Sequence, residues 1–278
     1  MPLPIDSRQY IIAYPIHSRA ECPADFSLPA GLGDFEAGLF LPRDDPDWFG
    51  RSSYPARLLL LTRENLHVVP HPTSNEPPSE FRLDDISSVE SGHMLLKGWL
   101  RFAGRRFDCK VPYNTRGHPA VFEFMRRFRK NFLGASQLSP AREIRLGAGL
   151  DIKFSNAVAG ELDKSECPLA LLFQPPGEFR SRRWFLPRRR WIPGDVLVST
   201  ARRLLWITDR DRVWRSRFGA IASYAPLRAL RAIGMESEET GPVMRVSLSG
   251  GCEWEIPLQP ENVKDAEEFV AIASVQKI

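Results

Sequence analysis

Residues 58–69 read LLLLTRENLHVV, and residues 196–208 read VLVSTARRLLWIT. In each stretch an apolar run ends at a threonine, Thr62 or Thr200. Three residues of polar or small character follow (Arg63-Glu64-Asn65, Ala201-Arg202-Arg203), and an apolar run then returns. Two short apolar strands about a polar turn predict a β-hairpin. The same hairpin written twice predicts a chain built twice.

Other matches agree with duplication. Glu21-Cys22-Pro23 recurs as Glu166-Cys167-Pro168, and Phe40-Leu41-Pro42-Arg43 recurs as Phe185-Leu186-Pro187-Arg188, both at an offset of 145 residues. In the second half, Met244, Val246 and Leu248 alternate with polar residues, Gly250-Gly251 supplies a turn, and Cys252, Trp254 and Ile256 alternate in return. This is a strand pair with one apolar face. Phe107, Cys109 and Val111 repeat the pattern in the first half. Val111-Pro112 and Ile256-Pro257 are read as strand ends, because proline lacks the ladder donor. Each half closes with an amphipathic helix. One is 118–132, with Val121, Met125, Phe128 and Phe132 at helical spacing and Phe122 beside them; the other is 262–276, with Val263, Ala266, Phe269, Val270 and Ala273 on one side. A short helix is expected over 151–162. The small, polar residues that follow 133 read as a linker. The expected organisation is a first domain at 1–133, a linker at 134–149 and a second domain at 150–278.

A curled antiparallel sheet followed by a helix resembles the pleckstrin-homology-like fold, in its bacterial, GRAM-like branch. The resemblance rests on the two threonine hairpins, on ISSVES (86–91), on PLRALRAI (226–233) and on the closing helices. The fold class it implies is mainly β (α+β), with two tandem antiparallel sheets or barrels, each closed by a C-terminal helix. The closing helices lack the tryptophan usual in eukaryotic members. The resemblance implies a binding or assembly module and no particular ligand.

Composition sets outer bounds. The chain has 278 residues, 43% hydrophobic and 26% charged, with a net charge of +4. That is enough apolar material for real cores, and too little positive charge for a dedicated nucleic-acid binder. The longest apolar runs are strand-sized, and no secretory signal is read, so a cytoplasmic protein is expected, with a peripheral membrane position open to it. Four scattered cysteines, Cys22, Cys109, Cys167 and Cys252, have no metal spacing and read as buried thiols. HExxH, GxSxG and GxxxxGK[ST] are all missing. His67 and His71 straddle Pro70 and are expected to flank a turn. Asp84-Asp85 and Asp209-Arg210-Asp211 read as surface and turn charge. No catalytic residue, cofactor or metal is assigned, and the reading is a non-enzyme. An enzyme with a composite site between the halves is the rival of another class.

The most unusual segment is FRSRRWFLPRRRW at 179–191. Arg180, Arg182, Arg183, Arg188, Arg189 and Arg190 stand there with Trp184 and Trp191. Three readings compete: an anion site for lipid headgroups or phosphate, a protein-docking surface, and a solvated rim whose arginine stems cover the tryptophans. At the 145-residue offset, Arg189 and Arg190 fall on Asp44 and Asp45, with Asp47 close by, although Ser181 falls on Glu36. For any single arginine the solvated rim is the first reading, and opposite charge at matching places puts docking next for the stretch as a whole. A protein partner or self-association is therefore expected, with an anionic membrane surface as the alternative and nucleic acid disfavoured.

Overall fold

The structure is a computed structural model. It describes residues 12–43, 54–94, 97–134, 150–163, 166–183, 186–209, 219–239 and 241–275; for 94, 179–183 and 186–190 it describes the backbone alone. The protein is mainly β, with antiparallel sheets and a few helices.

The first half contains β1 (Tyr14–Ile16), β2 (Ala37–Leu41), β3 (Arg57–Leu61), β4 (Asn65–Pro70), β5 (Ser79–Arg82), β6 (Ile86–Met94), β7 (Lys97–Gly104), β8 (Phe107–Asn114) and α1 (His118–Leu133). The second contains α2 (Ile152–Glu161), β9 (Pro168–Gln174), β10 (Gly177–Arg183), β11 (Leu186–Ile192), β12 (Asp195–Thr200), β13 (Arg203–Thr208), β14 (Ala220–Pro226), β15 (Leu230–Glu238), β16 (Gly241–Leu248), β17 (Glu253–Pro257) and α3 (Val263–Val275). Strands β1 to β5 form one sheet in sequence order. The order β8-β7-β6-β14-β13-β12-β9 forms another, β15-β16-β17 a third, and β10-β11 stands as a two-stranded ribbon. No sheet closes into a barrel among the described residues.

The chain divides into two compact units that no single cut separates. The first takes 1–86, 93–100 and 110–135; the second takes 87–92, 101–109 and 136–278. The first core gathers Ile16, Phe26, Phe40, Leu58, Leu60 and Val69. The second gathers Leu172, Leu197, Trp206, Met244, Trp254 and Phe269, with the Trp206 and Trp254 ring centroids 6.0 Å apart.

Both threonine hairpins form, and one device closes their turns. The Thr62 hydroxyl accepts from the Asn65 N–H (3.0 Å) and faces the Asn65 carbonyl (3.2 Å). The Thr200 hydroxyl does the same with the N–H (3.2 Å) and carbonyl (3.4 Å) of Arg203. A threonine oxygen suits this place because it satisfies backbone groups that the ladder leaves over at the turn. The next contact also repeats. The N–H of Leu83, which opens a 3-10 turn before β6, donates to Glu64 O (2.7 Å); Leu227, which opens the 3-10 turn before β15, donates to Arg202 O (2.9 Å). Each half then runs through three strands and a 3-10 turn into its closing helix.

Two expectations need correction. Strand β8 does not stop at Pro112 but continues to Asn114, since among the described residues β8 is the outer strand of its sheet and one side of its backbone has no ladder to supply. Phe122 does not join the buried stripe of α1. It is 40% exposed, while Val121, Phe124, Met125, Phe128 and Phe132 are buried. Gly250 and Gly251 both turn with positive φ (75° and 78°), β17 ends at Pro257, and Asp151 caps α2 by accepting from Lys153 N at 2.8 Å. The linker 134–149 lies outside the described residues apart from Gly134.

Candidate functional site

The arginine segment forms the β10–β11 ribbon. Its register pairs Glu178 with Trp191, Phe179 with Arg190, Arg180 with Arg189, Ser181 with Arg188, Arg182 with Pro187 and Arg183 with Leu186. The backbone of Arg180, Arg182, Arg183, Arg188, Arg189 and Arg190 is thus gathered into one short antiparallel pair. Trp191 is 62% exposed. Trp184, Asp44, Asp45 and Asp47 lie outside the described residues.

Strand pairing shows where the ribbon belongs. In the first unit β2 pairs with the leading hairpin strand β3; in the second β9 pairs with the leading strand β12. The ribbon is therefore the connection from β9 to β12. Its counterpart is the connection from β2 to β3, residues 42–56, which carries Asp44, Asp45 and Asp47. The two FLPR copies are not superposed in this scheme: Leu41 ends β2, whereas Leu186 begins β11. Opposite charge in matching connections survives, but residue-by-residue matching at the 145-residue offset does not.

The neck of the ribbon is a buried polar node that the sequence reading did not single out. Gln174, the last residue of β9, and Asp195, the first of β12, are register partners, and Thr208 is the partner of Asp195 on the other side. All three are buried, Asp195 completely. Gln174 Nε2 donates to Asp195 Oδ2 and to Pro257 O, both at 2.8 Å; Trp206 Nε1 donates to Asp195 Oδ1 at 2.8 Å; and the Thr208 side chain bonds the same carboxyl. Burial pushes the Asp195 carboxyl up to about 6, against the opposing hydrogen bonds from Thr208, Trp206 and Gln174.

Both legs of the ribbon are pinned beside this node. On the outgoing leg, Gln259 Nε2 donates to Pro175 O, and Gln259 N donates to Gln174 Oε1 at 3.2 Å. On the returning leg, Gly194 N donates to Asp209 Oδ1 at 2.7 Å and Asp209 N to Gly194 O at 3.0 Å. Gly194 has no room for a side chain, because a Cβ would lie 2.9 Å from the Phe154 ring. The sequence does hold a signal for this node, a carboxylate placed directly after Pro193-Gly194 and before the apolar run Val196-Leu197-Val198.

At the far end of β12 and β13 lies a second buried polar group. Arg203 Nη2 meets Glu166 Oε2 at 2.5 Å, Nε meets Oε1 at 3.1 Å, and Nη2 also donates to Glu161 O at 2.7 Å; the two side chains are 0% and 2% exposed. The guanidinium carbon stands 5.6 Å from the Tyr224 ring centre, a cation–π distance. Glu166 belongs to the repeated Glu-Cys-Pro element, but Glu21 in the first copy is instead used locally, accepting from His17 N at 2.9 Å.

His71 follows β4 in a turn, but His67 lies buried within β4, so the two do not flank a turn as expected. His71 Nε2 lies 3.0 Å from Asp25 Oδ2 and its Nδ1 2.8 Å from Thr73 Oγ1, but Nδ1 also receives the Thr73 N–H at 3.2 Å, so the ring braces a turn. The cysteines depart from the expected burial: Cys22, Cys109 and Cys252 are half-buried and Cys167 is exposed. No group of three or more potential metal-ligating side chains occurs among the described residues. Nor is any helix among them long and apolar enough to cross a membrane. No family model matches the chain, and no curated protein matches it.

Proposed function

We propose that the chain is a non-catalytic binding or assembly module of two pleckstrin-homology-like halves, and that its β10–β11 ribbon docks on an acidic protein surface. Support for the tandem reading comes from the element order shared by the halves: the threonine hairpin, a further strand, a 3-10 turn, three strands, a 3-10 turn and a helix. The docking reading is carried by one observation. The ribbon makes Arg180 and Arg189 register partners within a strand pair that also holds Arg182, Arg183, Arg188 and Arg190. Like charges opposite one another disfavour a strand pair, and carboxylates from a partner relieve that cost. The acidic residues of the matching connection, Asp44, Asp45 and Asp47, make a second copy of this chain one partner of suitable chemistry. Among the described residues β10 has no strand on its outer side and contains no proline, so it also offers main-chain groups to an extended partner segment.

A second reading, docking on an anionic lipid surface, draws on the exposed Trp191, since indole rings favour membrane interfaces. One experiment separates the two. The chain is titrated with a polyaspartate peptide and, separately, with vesicles containing acidic lipid, at low and high salt. Salt-sensitive binding to the peptide, lost when the six arginines become serine, supports protein docking. Binding to vesicles alone transfers the ribbon to the lipid reading. Binding to neither removes both.

A further inference from the structure

The residues from Pro175 to Gly194 leave the sheet at Gln174 and re-enter at Asp195, and those two are register partners. The ribbon is thus an excursion closed at a neck one residue pair wide, with Asp195 on its inner side. Every protein group bonded to the Asp195 carboxyl donates: the Gln174 amide, the Trp206 indole and the Thr208 hydroxyl. That set suits a carboxylate. The burial does not, because among the described residues no cation touches it. The charged group that acts on Asp195 is Asp209, itself a carboxylate, and Lys153 reaches only Asp209, at 3.8 Å.

The neutral acid escapes that penalty and can keep the same neighbours. Its proton can pass to the Thr208 oxygen, which already bonds the carboxyl. The indole N–H can only donate, and the Gln174 amide is committed on both sides, its Nε2 to Pro257 O and Asp195, its Oε1 to Gln259 N. The ionised form is a buried charge without a counter-ion, and it gains most by reaching water. It sits at the first position of β12, directly after Pro193-Gly194, so hydration comes most cheaply by parting the neck rather than the sheet.

We propose that Asp195 is a proton-operated clasp: protonated, it holds the neck of the arginine ribbon shut, and ionised, it loosens it. In the docking role given to the ribbon above, on which the use of the clasp rests, the ribbon is fixed in acid and adapts to its partner near neutrality.

The test is amide hydrogen exchange on the full chain between about pH 5 and pH 7.5, corrected for intrinsic rates, reading residues 177–192. Protection there falls ~10-fold across the range as the clasp ionises, while β16 and α3 stay unchanged. In Asp195→Asn the dependence vanishes. Trp206→Phe keeps a titratable carboxyl but removes one donor to it, so the midpoint moves to higher pH. A ribbon whose protection keeps the same pH dependence in Asp195→Asn, or a midpoint that Trp206→Phe leaves in place, overturns the clasp. Polyaspartate binding measured at both pH values tests the docking reading separately: if the peptide never binds, docking fails while the exchange result still decides the clasp.

Discussion

Two three-strand ladders occupy the same place in the two halves and are filled with opposite chemistry. In the first, Arg57 of β3 lies between Leu41 and Pro70; in the second, Asp195 of β12 lies between Gln174 and Thr208. Arg57 has apolar register partners, and its guanidinium reaches outward to Glu76 at 2.7 Å, a carboxylate with its side chain 55% exposed. Asp195 is fully buried among donors. Three residues beyond each threonine the contrast recurs. Asn65 bonds the exposed Glu80 at 2.7 Å, whereas Arg203 is sealed against Glu166. The two halves thus share turns and strand order, while in the second these charged groups meet enclosed partners. Interior charge costs stability unless its partners are fixed. The second copy fixes its partners at both ends of β12–β13, and the arginine ribbon leaves from one of those ends.

The sharpest way to break this comparison is to remove a sealed partner. Arg203→Ala should destabilise the protein by about 3–5 kcal/mol in urea denaturation, because Glu166 is left buried without its counter-ion. Asn65→Ala, at the matching position, should cost under about 1 kcal/mol. Equal costs would mean that the two hairpins are not energetically different. Next comes the pH dependence. The Asp195 carboxyl is raised from 3.8 in the unfolded chain to about 6 in the fold, so its contribution to stability is fully present below pH 3.8 and is lost as pH rises through about 6. The loss is about 3 kcal/mol. Subtracting the pH–stability curve of Asp195→Asn from that of the native chain should show a decline between those limits, and a flat difference would deny the burial assigned to Asp195. Thr62→Val and Thr200→Val should each cost about 1 kcal/mol, since each removes the hydroxyl that closes its turn. Similar values by thermal unfolding would confirm one device used twice. The smallest effect is expected from Glu76→Gln, under about 1 kcal/mol and shrinking further with added salt, because that carboxylate is half in water.

Much of this fold was legible because strand and helix periods are local. The hairpins at Thr62 and Thr200, the helices over 118–133, 152–161 and 263–275, and the glycine turn at 250–251 all announce themselves within a dozen residues. What joins distant segments was not legible. The FLPR match implied that residues 40–43 and 185–188 do the same job, yet Leu41 corresponds by pairing to Gln174. Sheet position is set by which strand supplies the ladder, and β9 took that place. The arginine segment stood out by composition alone. Its neck did not, because Asp195 gains meaning only from Gln174, Trp206 and Gln259, which approach from three other segments. Glu166 and Arg203 were each visible, but nothing local links residues so far apart in the chain.

The proline inside β8 has a consequence of another kind. An outermost strand is a template onto which a foreign strand can stack, and newly made chains meet such templates at high concentration before they finish folding. Pro112 deletes a hydrogen-bond donor from that strand. The residue that looked like a strand terminator therefore makes the outer strand a poorer template for a foreign strand.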